Sequence, residues 1–369
     1  GTRASGPWTL GGQELALPGG GTLYLLEVGP SVQGYLADHL VYDQVVVPGA
    51  FYVGVLLSIG GNRWPGRAVE LSDVQFIEAL TFDSVHERVP LHVHLQADGD
   101  ERFRVTLAAC RGEVWTTHVT AHIQVVEQSA TERFTPPASE NLSVLEEDQL
   151  VGMLQALDIT WGPQWRWLKS AGELGTSRVG RLVPPEGVPR DAPIPGGLMD
   201  NSFSIPFPDT YKVEDAIPRL PFRLERLVWF GGVDAAAWAT GEQLSVQADV
   251  QSADLKYWSE SGELVAQLDG FMARRAPKNL FLRGSTLPLY QLSWQEVDLG
   301  ELEESPPQAM IGGNGALAER WDLEHVSGLA QLDPALTRVL IDATTPADEA
   351  VVESVYATCH HGLSTLQAW

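Results

Sequence analysis

His39 sits in Tyr35-Leu36-Ala37-Asp38-His39-Leu40-Val41-Tyr42-Asp43-Gln44-Val45-Val46-Val47-Pro48-Gly49, just ahead of a β-rich run that leads into an apolar stretch. A strand end at Val45–Val47 followed by a helix from about Pro48 to Ile59 would set an imidazole beside that helix's N-terminus. There, free N–H groups and the macrodipole favour a carbonyl oxygen or a developing oxyanion. A base next to such a site is equipped to remove a proton alpha to a thioester carbonyl. The pattern alone also accommodates, and favours, a histidine merely packed at a loop.

Other chemistry-bearing residues make weaker patterns. His92, His94, His118 and His122 all fall on the polar faces of expected strands, with no acidic or Cys partner at ligand spacing, so no metal site is expected. Gly312-Gly313-Asn314-Gly315 lacks GxGxxG and reads as a plain loop. The Gly19–Gly21 run, entered through Pro18, and His360-His361 in an expected last helix read as a loop and a solvated pair. Cys110 and Cys359 lie far apart and make neither a disulfide framework nor a CxxC site, which points to a reducing, cytoplasmic setting.

The elements that must position these residues are legible in outline. Leu91–Ala97 and Glu101–Leu107 alternate apolar and polar around Asp98-Gly99-Asp100, a hairpin signal. Trp115, Thr117, Val119, Ala121 and Ile123 share one face of a further expected strand. The Val45–Gly61 stretch is uncharged and apolar all round. It reads as a helix buried in protein, closed by Gly60-Gly61; a membrane span is the minor reading, because spans need about 17–25 residues. A polar stretch at Glu127–Asn141 with Pro136-Pro137 reads as a linker. Beyond it, Leu244, Val246, Ala248 and Val250 alternate, and Leu264, Ala266 and Leu268 follow a Ser259–Gly262 turn, so a second unit repeats the style of the first. After Pro277 the order becomes strand, Gly-turn, strand at Val339–Ile341, then a helix opening at Thr345-Pro346, which suggests an incomplete α/β piece.

Composition sets the outer bounds. With 369 residues, two folded units or two and a fragment are expected. The 24 basic against 48 acidic residues give a net charge of −24, which excludes a general nucleic-acid or anionic-membrane binder. No secretion signal is visible in Gly1–Gly20.

Together the segments resemble the dehydratase domains of modular polyketide synthases, whose hallmark is HxxxGxxxxP on a double hotdog fold. His39 and Pro48 match, while Asp43 stands where the family has Gly. Trp161-Gly162-Pro163-Gln164-Trp165 resembles the family's YGPxF segment, and Gly197-Leu198-Met199-Asp200 the segment ending in the catalytic Asp. Pro218–Leu227 resembles the LPF-containing strand and Gly262–Arg274 the closing hairpin. In the second motif, DxxxQ or DxxxH, Asp200 is present but Ser204 replaces the Gln or His that helps orient the carboxyl group. Pro206 and Pro208 follow closely, so the second central helix should be short or broken. The tail from Leu289-Tyr290-Gln291-Leu292-Ser293-Trp294 resembles the opening of a ketoreductase structural subdomain.

The resemblance implies an α+β architecture: an N-terminal hotdog over 1–127, a linker over 128–141, a C-terminal hotdog over 142–276, and a partial Rossmann-like subdomain over 277–369. It also implies that His39 takes the α-proton of a 3-hydroxyacyl thioester and that the Gly49 N–H stabilises the enolate-like oxygen. Asp200, protonated in an apolar tunnel, would release its proton to the departing hydroxyl. No resident cofactor is expected, since the chain would arrive on the phosphopantetheine of an acyl carrier protein. Partners would be that carrier, neighbouring synthase domains and a second copy of the chain. Asp43 and Ser204 leave two alternatives open: a double-bond isomerase, or an inactive scaffold. Asp43 could weaken His39 as a base if it lay beside the ring, but is expected to point to solvent at some backbone cost. The acidic carrier would need local basic patches, such as Arg219, Arg223 and Arg226, or Arg274 and Arg275.

Overall fold

The computed structural model describes residues 7–18, 21–127, 130–137, 145–207, 217–232, 234–247, 249–281, 309–312, 316–326, 331 and 339–342. The chain divides into two compact units, Gly1–Pro288 and Leu289–Trp369. Residues 278–281 therefore stay with the first unit, where Phe281 is buried against Tyr42.

The first half of that unit comprises β1 (Gln13–Ala16), β2 (Thr22–Val28), β3 (His39–Val41), β4 (Gln44–Val46), α1 (Gly49–Arg63), β5 (Ala68–Phe76), β6 (Thr81–Phe82), β7 (Val89–Ala97), β8 (Arg102–Arg111) and β9 (Val114–Val126). The second half comprises β10 (Leu145–Glu146), α2 (Glu147–Gln155), β11 (Ile159–Trp161), β12 (Leu168–Leu174), β13 (Ser177–Leu182), α3 (Gly196–Ser202), β14 (Arg219–Trp229), β15 (Ala236–Val246), β16 (Val250–Ser259) and β17 (Leu264–Arg275). One 13-stranded antiparallel sheet runs β1-β2-β7-β8-β9-β5-β14-β17-β16-β15-β13-β12-β10, and β5 with β14 joins the halves. Each half carries a central helix, α1 in the first and α3 in the second, which is the double hotdog.

Helix α1 is buried along nearly its whole length because its residues are apolar on every side. It runs four residues past the expected stop at Ile59. Gly60 and Gly61 do not end it; they let neighbours approach. A Cβ on Gly60 would lie 2.6 Å from Val69 Cγ1, and one on Gly61 2.9 Å from Trp8. Among the described residues no helix is long and apolar enough to cross a membrane. Helix α3 spans only seven residues and gives way to turns before Pro206, as the prolines predict.

Two expectations about strands change. The extra residue in β9 is His118, since Leu107 pairs with Val119 while Ala108 pairs with Thr117. This bulge flips the alternation. Trp115 is 48% exposed instead of sharing the buried face, and His118 is buried instead of on the polar face. Leu244 to Val250 is not one strand: β15 ends at Val246, and Leu244 and Val246 are exposed beside the turn into β16. The expected linker is pinned at Arg133, bridged to Glu263, and at Phe134, whose ring stacks on Trp258 at 5.3 Å.

In the second unit, β18 (Ala309–Gly312) lies between β19 (Glu324–Val326) and β20 (Val339–Asp342), all parallel, with α4 (Ala316–Trp321) following β18. Parallel strands with an intervening helix fit the expected α/β fragment. The Leu289–Trp294 segment, Cys359, His360-His361 and the expected last helix lie outside the described residues.

Candidate active site

A second, four-stranded sheet, β11-β3-β4-β6, brings the two halves of the sequence together at His39. Strand β11 pairs antiparallel with β3 so that Trp161 lies opposite His39. Gly162 N–H then donates to Asp38 O at 2.7 Å, and a Cβ at Gly162 would overlap the Asp38 carboxyl carbon. That close approach explains the glycine. Pro163 opens a 3₁₀ turn that ends on Trp165, and the Gln164 N–H donates to the Asp38 carboxylate.

His39 is 4% exposed. Its Nδ1 lies 2.8 Å from Val46 O. A carbonyl only accepts, so Nδ1 carries a proton, and in the neutral tautomer this bond selects, the lone pair lies on Nε2. Nε2 faces Asp200 Oδ2 at 3.6 Å, too far for a hydrogen bond that would tie up either group.

Asp200 reaches this point from α3, which packs closely on α1. A Cβ on Gly196 would lie 3.0 Å from Phe51 Cα, so glycine is what lets the two backbones meet. Burial pushes the Asp200 carboxyl above the usual carboxylate range, partly offset by His39 and by a hydrogen bond from Trp165. That bond runs from Trp165 Nε1 to Asp200 Oδ2 at 2.9 Å. Ser204 does not reach for the carboxyl; its hydroxyl donates to Asn201 O at 2.6 Å.

Pro48 caps α1 and Gly49 is its first helical residue, so the Gly49 N–H belongs to the group at a helix start that lacks an intrahelical acceptor. Gly49 also has a packing reason: a Cβ there would lie 2.9 Å from the Phe76 ring. Asp43 is exposed at the tip of the β3–β4 hairpin, where Tyr42 and Asp43 have φ of 54° and 63°, the geometry of a type I′ turn. The carboxylate is therefore a turn residue facing solvent.

Four residues at the site carried no expected role. Asn201 accepts from the Trp167 and Leu168 N–H groups at 2.8 and 3.0 Å and donates to Trp165 O at 2.9 Å. The Tyr35 ring stacks on Trp165 at 6.0 Å, and its hydroxyl donates to the buried Asp191. The fourth is Trp165 itself. One signal was available for Asn201: Asp200-Asn201-Ser202 puts three polar residues inside an otherwise apolar segment, which demands buried partners.

The remaining histidines do not assemble. His122 Nε2 lies 3.4 Å from Asp98, and His92 packs over Trp115 at 4.2 Å. His118 Nδ1 donates to Glu78 O at 2.8 Å while its ring lies parallel to Tyr52. Among the described residues no group of three or more His, Cys, Asp or Glu could hold a metal ion. Two of the basic candidates for carrier docking are engaged within the chain: Arg223 with Asp73, and Arg226 with Glu70 and Asp269.

A buried histidine with a free Nε2, facing a buried neutral-leaning carboxyl across two joined hotdogs, defines a class of acid–base sites on the double hotdog fold. The family models agree. Residues 9–110 match the polyketide synthase dehydratase domain, and residues 129–282 match the polyketide synthase dehydratase N-terminal domain. The chain belongs to the polyketide synthase dehydratase domain family. It is 24% identical over 313 residues to the spectinabilin polyketide synthase system protein NorB of Streptomyces orinoci, covering 81% of this chain and 14% of that protein. It is 22% identical over 302 residues to a mycocerosic acid synthase-like polyketide synthase of Mycobacterium tuberculosis, covering 77% of this chain and again 14% of the relative. The dehydratase domain from the CurH module of curacin polyketide synthase superposes with a TM-score of 0.66 at 20% identity, covering 74% of this chain and 98% of that one. The dehydratase domain of a mycocerosic acid synthase-like synthase superposes at 0.64 and 19% identity, covering 74% and 99%. At these identities the likeness shows the fold.

Proposed function

We propose that this chain eliminates water from 3-hydroxyacyl chains carried as thioesters on an acyl carrier protein. The observation that carries the reading is the His39–Asp200 pair: Nε2 is left free by the Nδ1–H bond to Val46 O and faces a carboxyl whose burial favours the proton-bearing form. Neutral His39 takes the α-proton into Nε2. The electron pair of the broken Cα–H bond becomes the Cα=Cβ π bond as the Cβ–O bond breaks. Asp200 gives its proton to the departing hydroxyl, so water and an α,β-unsaturated thioester leave. Gly49 N–H, at the positive end of α1, stabilises the enolate-like oxygen. The same reading makes the carrier, neighbouring synthase domains and a second copy of the chain its partners, in the cytoplasm, with no resident cofactor.

The test is to incubate the chain with a 3-hydroxyacyl carrier thioester and, separately, a 2-enoyl carrier thioester, following products by mass and NMR. Loss of water from the first supports the reading. Alkene migration in the second without a mass change would make the chain an isomerase, and no turnover of either would make it a scaffold.

A further inference from the structure

We infer that Trp165 is the positioning residue of the acid: its indole N–H, and not residue 204, holds the Asp200 carboxyl in register with His39. The geometry stands by itself, while its catalytic consequence rests on the reading above.

Trp165 is fully buried and touches both proton-transfer groups. Its Nε1–H donates to Asp200 Oδ2 at 2.9 Å, and its ring lies 5.3 Å from the His39 ring at 59°. An indole nitrogen only donates, so Oδ2 accepts, and because the carbonyl-type oxygen of a neutral acid is the better acceptor, the bond favours the acid proton on Oδ1. The two carboxyl oxygens are thereby made inequivalent. The indole is itself held: the Tyr35 ring stacks on it at 30°, Tyr35 is anchored on Asp191, and Asn201 Nδ2 donates to the Trp165 carbonyl at 2.9 Å.

The sequence carries the same message from two positions. The YGPxF pattern puts Phe at residue 165, a ring without a donor, and DxxxQ or DxxxH puts the donor at residue 204. Here residue 165 is Trp and residue 204 is Ser, whose one hydroxyl proton is used on Asn201 O. The two departures are reciprocal. In this chain the donor to the acid stands on the 3₁₀ turn after β11 and not beyond α3, and the acid keeps one oriented hydrogen bond.

A donor on the ionised form of Asp200 opposes the upward push of burial. Trp165→Phe removes that donor and keeps an aromatic ring. Expected are a kcat reduced about 10- to 100-fold, the worth of one hydrogen bond to a charged group, and a KM changed far less. The basic limb of the kcat profile, where Asp200 gives up its proton, moves to higher pH. A carboxyl-¹³C NMR titration of the Asp200 side chain shows the same upward shift in its midpoint. If the Phe variant does not fold, 3-benzothienylalanine at position 165 replaces N–H by sulfur in the same shape and is titrated in its place.

An unmoved midpoint together with an unmoved kcat overturns the assignment, as does a Ser204→Ala chain whose midpoint shifts as far as that of Trp165→Phe. A wild-type chain that turns over neither thioester would remove the dehydratase reading and leave the titration to judge the Trp165–Asp200 pairing. An active wild type with an unmoved midpoint and rate in the variant would remove the pairing alone.

Discussion

Helix α1 has 15 residues and helix α3 has seven, and the functional group beside each is held by different means. His39 is fixed by main chain: its Nδ1 bonds a carbonyl of the strand next to its own, and β3 is paired on both sides. Asp200 is fixed by side chains. Trp165 bonds its carboxyl, and Asn201 ties α3 to the segment that carries Trp165. Main-chain fixing tolerates sequence change around the group. Side-chain fixing does not, so the departure at Ser204 in the acid half needs a compensating donor, while Asp43 in the histidine half sits harmlessly at a hairpin tip.

The largest expected effect tests the acid directly. Asp200→Asn keeps the size and an acceptor for Trp165 but cannot supply the proton, so turnover of a 3-hydroxyacyl carrier thioester should fall by about 10²- to 10⁴-fold. Turnover within a few-fold of wild type would remove Asp200 from the chemistry. Next in size, Asn201→Ala strands the Trp167 and Leu168 N–H groups in a buried site and should cost about 2–4 kcal/mol in urea unfolding. A loss under about 0.5 kcal/mol, the level of a plain surface change, would mean the side-chain network does not hold the acid half.

The pH dependence of stability sharpens the same contrast. Burial raises the folded-state pKa of Asp200, so the folded chain keeps a proton that the unfolded chain releases. Its contribution is fully present below the ordinary carboxylate range and is lost as pH rises through the raised value. The stability of wild type relative to Asp200→Asn should therefore decline over that window and level off above it. A difference that is flat or rises with pH contradicts a buried, proton-retaining acid.

The smallest effect lies on the histidine side. Asp43 occupies a left-handed position at a hairpin tip facing solvent. Asp43→Gly should raise stability by at most about 1 kcal/mol and leave turnover where it was. A clear change in the pH profile of turnover would return Asp43 to the neighbourhood of His39.

Much of this contrast was legible in the residues, unevenly. The DG hairpin declares itself by local pattern, and the all-round apolar character of 49–61 announces a buried helix, whereas His39, Pro48 and Asp200 stand out only through the resemblance to the dehydratase motifs. Gly60-Gly61 mislead because a glycine that lets Val69 and Trp8 approach looks in sequence like one that ends a helix. The bulge at His118 is invisible locally, since it is defined only by the register of β9 on β8. In sequence Trp165 is a motif residue without a visible role. Its partner lies 35 residues away on another element, and nothing in WGPQW says which way the indole N–H points.

The proposed dehydration turns on proton abstraction by one histidine, its tautomer set by Val46. The most direct measurement sets wild type and His39→Ala side by side on a 3-hydroxyacyl carrier thioester, with circular dichroism showing both folded. Loss of water is expected with wild type and none with the variant. A folded His39→Ala chain that dehydrates as fast as wild type would contradict that role.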